Sequence, residues 1–115
     1  MLKELNNYDW AEVFKYADPT PVIGCKVSTS GFTQDDVKRI IAMVDGTNDE
    51  ESWVGVFELH DGRFVSISAG CDYTGWGCQE GGSSQVASSE DEIVRFGLTD
   101  EERERLGIKE KNYDQ

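Results

Sequence analysis

The chain has 115 residues, with 11 lysines and arginines against 23 aspartates and glutamates and a formal net charge of −12. Such a length is typical of one domain with a single hydrophobic core. The excess of carboxylates repels phosphate backbones and anionic membranes and attracts basic surfaces. We therefore expect a single domain over residues 1–115, with a frayed tail at 109–115, that binds no nucleic acid directly and no membrane.

The cysteines and the start of the chain bear on its compartment. Cys25, Cys71 and Cys78 are an odd number and cannot all pair in a closed disulfide framework. The start, MLKELNNYDW, lacks the apolar core of a secretory signal, and no window approaches the roughly 20 apolar residues of a membrane span. Reduced thiols and a cytoplasmic location are the expectation.

The first predicted element is a helix near the N-terminus, capped by Asn6 or Asn7. Residues 18–21, DPTP, should end it, because each proline biases the preceding residue to extended geometry. Residues 22–27 are then predicted to be an extended segment or a short edge strand. The apolar face of the helix, at the spacing i, i+3, i+4, i+7, is formed by Trp10, Val13, Phe14 and Ala17.

A capping box predicts a second helix that begins at Gln34. Thr33 is followed three residues later by Asp36, and Phe32 and Val37 have the spacing of a hydrophobic staple. The helix is expected to bury one apolar stripe and to stop at a glycine. The stripe consists of Val37, Ile40, Ile41 and Val44, and the glycine is Gly46.

A β-hairpin is the strongest local prediction. Residues 53–59 and 64–69 are rich in β-formers, and Asp61-Gly62 is typical of a two-residue type I′ turn. That turn sets Glu58 opposite Val65. Because side chains alternate along a strand, it also predicts two faces. One face holds Val54, Val56, Val65, Ile67 and Ala69, and the other holds Trp53, Phe57, Leu59 and Phe64.

A glycine-rich segment follows the hairpin. Residues 73–76 are predicted to form a short third strand, and residues 85–87 return from a Gly81-Gly82 turn. Ser88 or Ser89 should cap a helix, and Thr99 with Glu102 forms a second capping box. In the first of these helices, the side chains expected to point inward are Ile93, Val94 and Phe96. The second helix is expected to end at Leu106-Gly107-Ile108.

These elements predict an α+β fold. A small antiparallel sheet, made of the hairpin 53–59/64–69 and one or two further strands, packs with N-terminal and C-terminal helices.

Catalytic, metal and cofactor sites find little support in the residues. His60 lies at the predicted turn and Cys71 beyond the far end of the same strand, about 26 Å away at 3.3 Å per residue, which is too far for a catalytic pair. The cysteine spacing lacks a zinc knuckle. The acidic loop at 45–56 lacks the glycine and the final glutamate of a calcium-binding EF-hand. We expect no catalytic residue, metal or cofactor.

The distribution of charge points instead to a binding surface. Between Asp35 and Asp61 there are eight acids and two bases, and between Phe64 and Val94 there are five acids and no base. Two such tracts around a hairpin can form one negative surface, although a uniformly acidic coat is the alternative. The candidate partner-binding residues are Asp45, Asp49, Glu50, Glu51, Asp72, Tyr73, Trp76 and Glu80.

The run AGCDYTGWGCQ, with WVGVFEL before it and FGLTDEERERLG after it, resembles a family of small acidic proteins of bacteria and bacteriophages with no assigned activity. The resemblance covers about residues 8 to 108. It implies an intracellular protein, encoded in some cases on a mobile element, and provides no catalytic residues.

We therefore expect a non-catalytic acidic protein that binds a basic, nucleic-acid-handling protein partner, as a bacteriophage inhibitor of host defence or a nucleic-acid mimic does. The alternative is a small-molecule-binding protein or enzyme with a pocket around Asp72, Tyr73 and Trp76.

Overall fold

The computed structural model describes residues 2–47, 51–70 and 82–108. This part of the chain is an α+β fold in which helices pack on a five-stranded mixed sheet. Short 3₁₀ turns lie at Lys3–Leu5 and Gln34–Asp36. The longer elements are α1 Tyr8–Tyr16, β1 Pro19–Pro21, β2 Val37–Val44, β3 Trp53–Leu59, β4 Phe64–Ala69, β5 Gly82–Ala87, α2 Glu90–Phe96 and α3 Asp100–Leu106.

The strands lie in the order β1-β5-β4-β3-β2. β1 runs parallel to β5, and the other neighbouring pairs are antiparallel. α1 packs on one face of the sheet with Trp53, Phe57 and Val65. α2 covers the other face, where Ile93 packs with Val56, and Leu106 of α3 lies against the same cluster. The fold therefore has three layers, with an apolar core on each side of the sheet.

The predicted first helix is confirmed. The Asn7 side chain accepts a hydrogen bond from the backbone N–H of Trp10 at 2.9 Å and so caps α1. Trp10 is buried, with its ring edge-on to Phe57 at 5.8 Å between centroids. A Cβ atom at Gly55 would collide with the Phe57 ring, so only glycine leaves room for this packing. Ala17, the last residue of the predicted face, is the C-cap.

The predicted extended segment at 22–27 is displaced, because the strand lies on the prolines themselves. β1 pairs Thr20 with Gln85, and the Val22 N–H donates to the Val86 carbonyl at 2.9 Å before the chain turns at Gly24. A proline cannot donate to a ladder but is tolerated at a sheet edge, which is where β1 lies. Val22 is buried as the last apolar contact of this edge.

The predicted second helix is wrong beyond its first turn. The capping box is present, since the Thr33 N–H donates to Asp36 Oδ2 at 2.8 Å and Thr33 Oγ1 accepts from the Asp35 N–H at 3.3 Å. The chain then continues as strand β2 from Val37.

Two bulges explain the error. They lie between Val37 and Arg39 and between Ile40 and Ala42 of β2. Each inserts one residue, so Val37, Ile40 and Met43 contact the core on the α1 side at intervals of three. This interval imitates the spacing of a helix face. The abundance of β-branched residues in this stretch is the signal that favours the strand.

The hairpin strands have the predicted bounds, but the register differs by one residue. The Leu59 N–H donates to the Arg63 carbonyl at 2.8 Å, so the loop has three residues, and Gly62 adopts φ 95°. Phe57 therefore lies opposite Val65, and Glu58 opposite Phe64.

This slip exchanges the faces of β4, as a one-residue shift must. Val65, Ile67 and Ala69 join Trp53, Phe57 and Leu59 on the α1 side. Phe64, predicted to share a face with Phe57, packs instead against the cluster on the α2 side. The three-residue loop is stabilised by Asp61, which accepts from the Arg63 backbone N–H at 3.0 Å and from Arg63 Nε at 2.9 Å.

The C-terminal predictions hold apart from one side chain. Ser89 caps α2 by accepting from the Glu92 N–H at 3.2 Å, and Ile93 and Val94 are buried. Phe96, predicted to point inward, is 58% exposed because α2 ends at that residue and the chain turns at Gly97. The Thr99–Glu102 capping box and the left-handed Gly107 C-cap bound α3 as predicted.

The number of strands exceeds the one or two expected beyond the hairpin, because β1 and β2 join the sheet at its two edges. The predicted return strand at 85–87 is the second half of β5. The predicted strand at 73–76 and the tail at 109–115 lie outside the described residues.

Candidate functional site: the loop end of the sheet

Both loops that hold the predicted partner-binding residues leave the sheet at the same end. Trp53, at the start of β3, pairs with Ala69, at the end of β4, and Ala69 pairs with Gly82, at the start of β5. Val44, at the end of β2, pairs with Val54 beside them. We call this the loop end of the sheet: the end from which residues 45–52 and residues 70–81 depart.

The described residues include only two of the eight predicted binding residues, Asp45 and Glu51, and both are exposed at the loop end. The other six belong by sequence to the same two loops but lie outside the described residues: Asp49, Glu50, Asp72, Tyr73, Trp76 and Glu80.

Asp45 and Glu51 both contribute to the fold. Asp45 Oδ1 accepts a hydrogen bond from the indole Nε1 of buried Trp10 at 2.8 Å. Glu51 pairs with Arg105 of α3 at 3.6 Å. Arg105 also donates to the Ser52 carbonyl at 2.8 Å, so it ties α3 to the loop between β2 and β3. The two described ends of the loop, at Asp45 and at Glu51-Ser52, are thereby bound from opposite faces of the sheet.

A groove crosses the sheet beside this loop, on the α2 and α3 side. It consists of two adjoining clefts of about 250 and 340 Å³, which share Ser68, Thr99 and Glu102. Glu51, Glu101 and Arg105 line only the larger cleft. Phe96 lines only the smaller one. The groove therefore has an acidic part and an aromatic part on either side of a shared middle.

The acidic part carries a net negative charge. Three carboxylates, Glu51, Glu101 and Glu102, line it against the single guanidinium of Arg105. Glu102 accepts from the Thr99 N–H at 2.9 Å within the capping box, and the acids in the first turn of α3 also stabilise that helix end. Carboxylates held in this way accept hydrogen bonds from ammonium or guanidinium groups.

The floor of the groove is polar, whereas Val54 and Val56 on the same sheet face are buried and apolar. Ser66 lies opposite Gln85, and Ser68 lies opposite Ser83. Ser66 donates to the Gly97 carbonyl at 2.8 Å. In the part of the chain that the structure describes, the side chains of Ser68, Ser83 and Gln85 form no hydrogen bond. No residue in the described ranges therefore competes with a ligand for these three side chains.

The arginines of the chain are engaged within the fold, which leaves the carboxylates as the dominant outward charge. Arg63 donates to the Ser28 and Ser30 carbonyls at 3.0 and 2.8 Å. Arg103 donates to three carbonyls and pairs with Asp100. The remaining arginines form ion pairs with carboxylates, and they are Arg39, Arg95 and Arg105. The hydrogen bonds to Glu90 and Glu58 raise the pKa of Arg39 above its ordinary value.

The acidic tract predicted at 35–61 is divided between two ends of the sheet. Val37 pairs with Leu59, so Asp35 and Asp36 precede β2 at the hairpin-turn end, together with Asp61. Asp45 and Glu51 lie at the opposite, loop end. Among the described residues, the other acids at the loop end therefore belong to α3. The acids in the first half of the tract lie at the opposite end of the sheet.

Other chemistry is limited among residues 2–47, 51–70 and 82–108. No group of three His, Cys, Asp or Glu side chains there is placed to hold a metal ion. His60 is exposed at the hairpin loop, as expected, and Cys71 lies outside these ranges. None of the helices in these ranges has the length and apolar character to cross a bilayer.

Sequence reasoning missed Glu101, Glu102 and the polar floor. Glu102 was interpreted only as part of a capping box, which it also forms, and Glu101 is a further acid in the first turn of α3. A usable signal existed in β4, FVSISA, where serines alternate with buried apolar residues. With the correct register, that alternation places Ser66 and Ser68 together on the helix-covered face beside Val56 and Val54.

The fold and the groove define a small acidic α+β protein with a polar cleft across one end of its sheet. Comparison with known proteins found no matching family model, no matching curated protein and no matching solved structure. The function is therefore inferred from the groove and from the charge around it.

Proposed function

We propose that the protein is a non-catalytic binding protein that recognises a basic surface of a protein partner with the loop end of its sheet. The observation that carries this proposal is that the sheet register brings both candidate loops and the acidic part of the groove to one end. A net charge of −12 attracts such a surface, and the clustering of acids gives that attraction a direction.

The partner is an enzyme that handles nucleic acid. Such enzymes present grooves of lysine and arginine, and the carboxylates of an acidic protein take the places of phosphates in them. An inhibitor of host defence encoded by a bacteriophage is one form of this function. Arg63, Arg103 and Arg105 bind backbone carbonyls of the fold, which supports a role opposite a basic surface rather than on a phosphate backbone.

The test is affinity capture from a bacterial lysate at 50 and 500 mM salt, followed by measurement of binding to the captured, purified protein. Glu51→Lys with Glu101→Lys should weaken binding at least tenfold, or about 1.4 kcal/mol. The matched control is Glu4→Lys with Asp35→Lys, two exposed acids away from the loop end, with the same change in net charge. Equal binding by both double variants, or a stoichiometric complex insensitive to salt, would overturn the proposal.

The second candidate is a small-molecule-binding protein or enzyme whose pocket includes Asp72, Tyr73 and Trp76. The observation in its favour is that β4 ends at Ala69 and β5 begins at Gly82, so both ends of the segment that carries these residues adjoin Ser68 and Ser83 of the polar floor. Tyr73→Ala with Trp76→Ala separates the two functions. Loss of a metabolite-induced thermal shift, with capture of the basic partner unchanged, would favour the pocket.

A further inference from the structure

The floor of the groove is polar and accessible to solvent. On the sheet face covered by α2 and α3, Val54, Val56 and Ala87 are buried against Ile93 and Val94. On the same face, Ser68 and Gln85 are half-buried and Ser83 is exposed, so the helices leave this part of the sheet open. Hydroxyl and amide groups in such a cleft can both donate hydrogen bonds to a ligand and accept them from it.

The two ends of the groove offer different chemistry. The larger cleft has Glu51 and Glu101, which complement a cationic side chain. The smaller cleft has Phe96, which is 58% exposed, beside the buried Leu98. Exposed aromatic side chains of this kind are frequent contact residues at interfaces. The hydroxyl and amide groups of the floor lie between the two ends.

We propose that the groove holds an extended peptide segment of the partner. A basic side chain of that segment lies between Glu51, Glu101 and Glu102, and an apolar side chain packs on Phe96. The backbone amides of the segment exchange hydrogen bonds with Ser68, Ser83 and Gln85. This inference rests on the proposed function and adds to it the location and the sequence character of the recognised segment.

The direct test uses blocked, fluorescein-labelled peptides with one arginine and one leucine separated by one to four serines, in both directions of the chain. Two spacers set the anchors about 10 Å apart at 3.3 Å per extended residue. We expect saturable polarisation curves for one spacing. Exchange of Arg for Glu, or of Leu for Ser, should weaken binding at least tenfold, the equivalent of about 1.4 kcal/mol.

Backbone amide shifts of the ¹⁵N-labelled wild-type protein locate the site without any substitution. The expected shifts fall on residues 51–54, 66–68, 83–85 and 96–105. Absence of binding at 1 mM for every spacing, or shifts confined to other parts of the chain, would overturn the inference.

An isosteric pair of variants tests the role of the hydroxyl groups. Ser68→Val with Ser83→Val removes them, whereas Ser68→Thr with Ser83→Thr keeps them in side chains of the same shape. The valine variant should lose peptide binding at least tenfold with no fall in Tm, because valine is a strong β-former. The threonine variant should bind within about twofold of wild type. Equal binding by the two variants contradicts the inference.

The two proposals fail in different ways. If the valine variant binds the captured partner as wild type does, while Glu51→Lys with Glu101→Lys abolishes binding, the groove is not the contact and the proposed function stands. If neither double variant weakens binding of the captured partner, the proposed function fails and the groove inference fails with it.

Discussion

Asp45 connects the exposed loop end to the core of the molecule. Its carboxylate accepts a hydrogen bond from the indole N–H of Trp10, which is the only donor of that side chain. The Trp10 ring packs against both Phe57 and Phe14. The sequence predicts a binding residue at this position, and the contact with Trp10 shows a structural task as well. For this reason the charge-reversal experiment uses Glu51 and Glu101 and leaves Asp45 intact.

Asp45→Ala should lower the free energy of unfolding by about 1–3 kcal/mol, because it leaves a buried indole N–H without an acceptor. Asp45→Asn retains an acceptor oxygen and should lose less. Urea unfolding followed by tryptophan fluorescence measures both. Equal losses for the two variants would show that the carboxylate charge, rather than the hydrogen bond, provides the stabilisation.

Glu92 provides a pH-dependent contribution at the start of α2. The Ser88 hydroxyl donates to Glu92 Oε1 at 2.6 Å, and the Cys25 thiol and the Ser89 hydroxyl also donate to this carboxylate. These hydrogen bonds lower the pKa of Glu92 below its ordinary value of 4.5, with the Ser88 bond as the largest cause. A lowered pKa means that the folded state favours the ionised form.

The stabilisation from Glu92 is therefore complete above pH 4.5 and is lost as the pH falls through the lower folded-state pKa. We expect the difference in free energy of unfolding between wild type and Glu92→Gln to be largest at neutral pH and to shrink in strong acid. Glu104→Gln, at an exposed carboxylate, makes the same change of charge and is the matched control. A difference independent of pH would contradict the assignment. Chemical denaturation at a series of pH values measures it.

At the scale of the element, β2 shows how a local pattern is decided by its neighbours. Its capping box and its apolar spacing both favour a helix, and one 3₁₀ turn does form at Gln34–Asp36. From Val37 onward, pairing with β3 satisfies the backbone groups, and the bulges allow apolar residues at helical spacing to reach both faces. Tertiary pairing overrides local propensity here.

The hairpin loop gives a prediction at this scale. Gly62 adopts φ 95°, and a Cβ atom added there would have no heavy atom within 4 Å. An alanine at this position would therefore strain the backbone without a steric clash. Gly62→Ala should destabilise the protein by about 1 kcal/mol. Gly31→Ala is the matched control, because Gly31 has equally open surroundings and no positive φ. Thermal unfolding by circular dichroism distinguishes them, and equal Tm values would refute the strain argument.

For the whole molecule, the main physical fact is the excess negative charge. Ion pairs such as those of Arg39 with Glu58 and Glu90 connect β2, β3 and α2 at the surface. Pairs of this kind contribute little individually. The remaining carboxylates repel one another, which destabilises the compact state in proportion to their density.

We therefore expect the protein to become more stable as salt is added at low ionic strength. Between 10 and 150 mM sodium chloride the Debye length falls from about 30 to 8 Å, which screens the repulsion. A rise in Tm of roughly 4 °C, equivalent to about 1 kcal/mol, is the expected size. Differential scanning calorimetry measures it, with sucrose of equal osmolality as the control. A fall in Tm with salt would mean that the ion pairs outweigh the repulsion.

By itself, the sequence determined the features that depend on a few adjacent residues. These are the boxes at Thr33 and Thr99 and the two strands of the hairpin, because each follows from local hydrogen bonding or side-chain shape. The caps were narrowed to Asn6 or Asn7 and to Ser88 or Ser89, and the structure selects Asn7 and Ser89. The acidic character of the protein also follows directly from composition.

Only the tertiary structure decided which of these features meet. The bulged pairing turned a helical pattern into β2, and the three-residue loop moved Ser66 and Ser68 to the face covered by α2. The groove needed Glu51 from one loop, Ser68 from a strand and Glu101 from a distant helix. Residues so far apart along the chain come together through register and packing, which are properties of the sheet as a whole and cannot be read from any one segment.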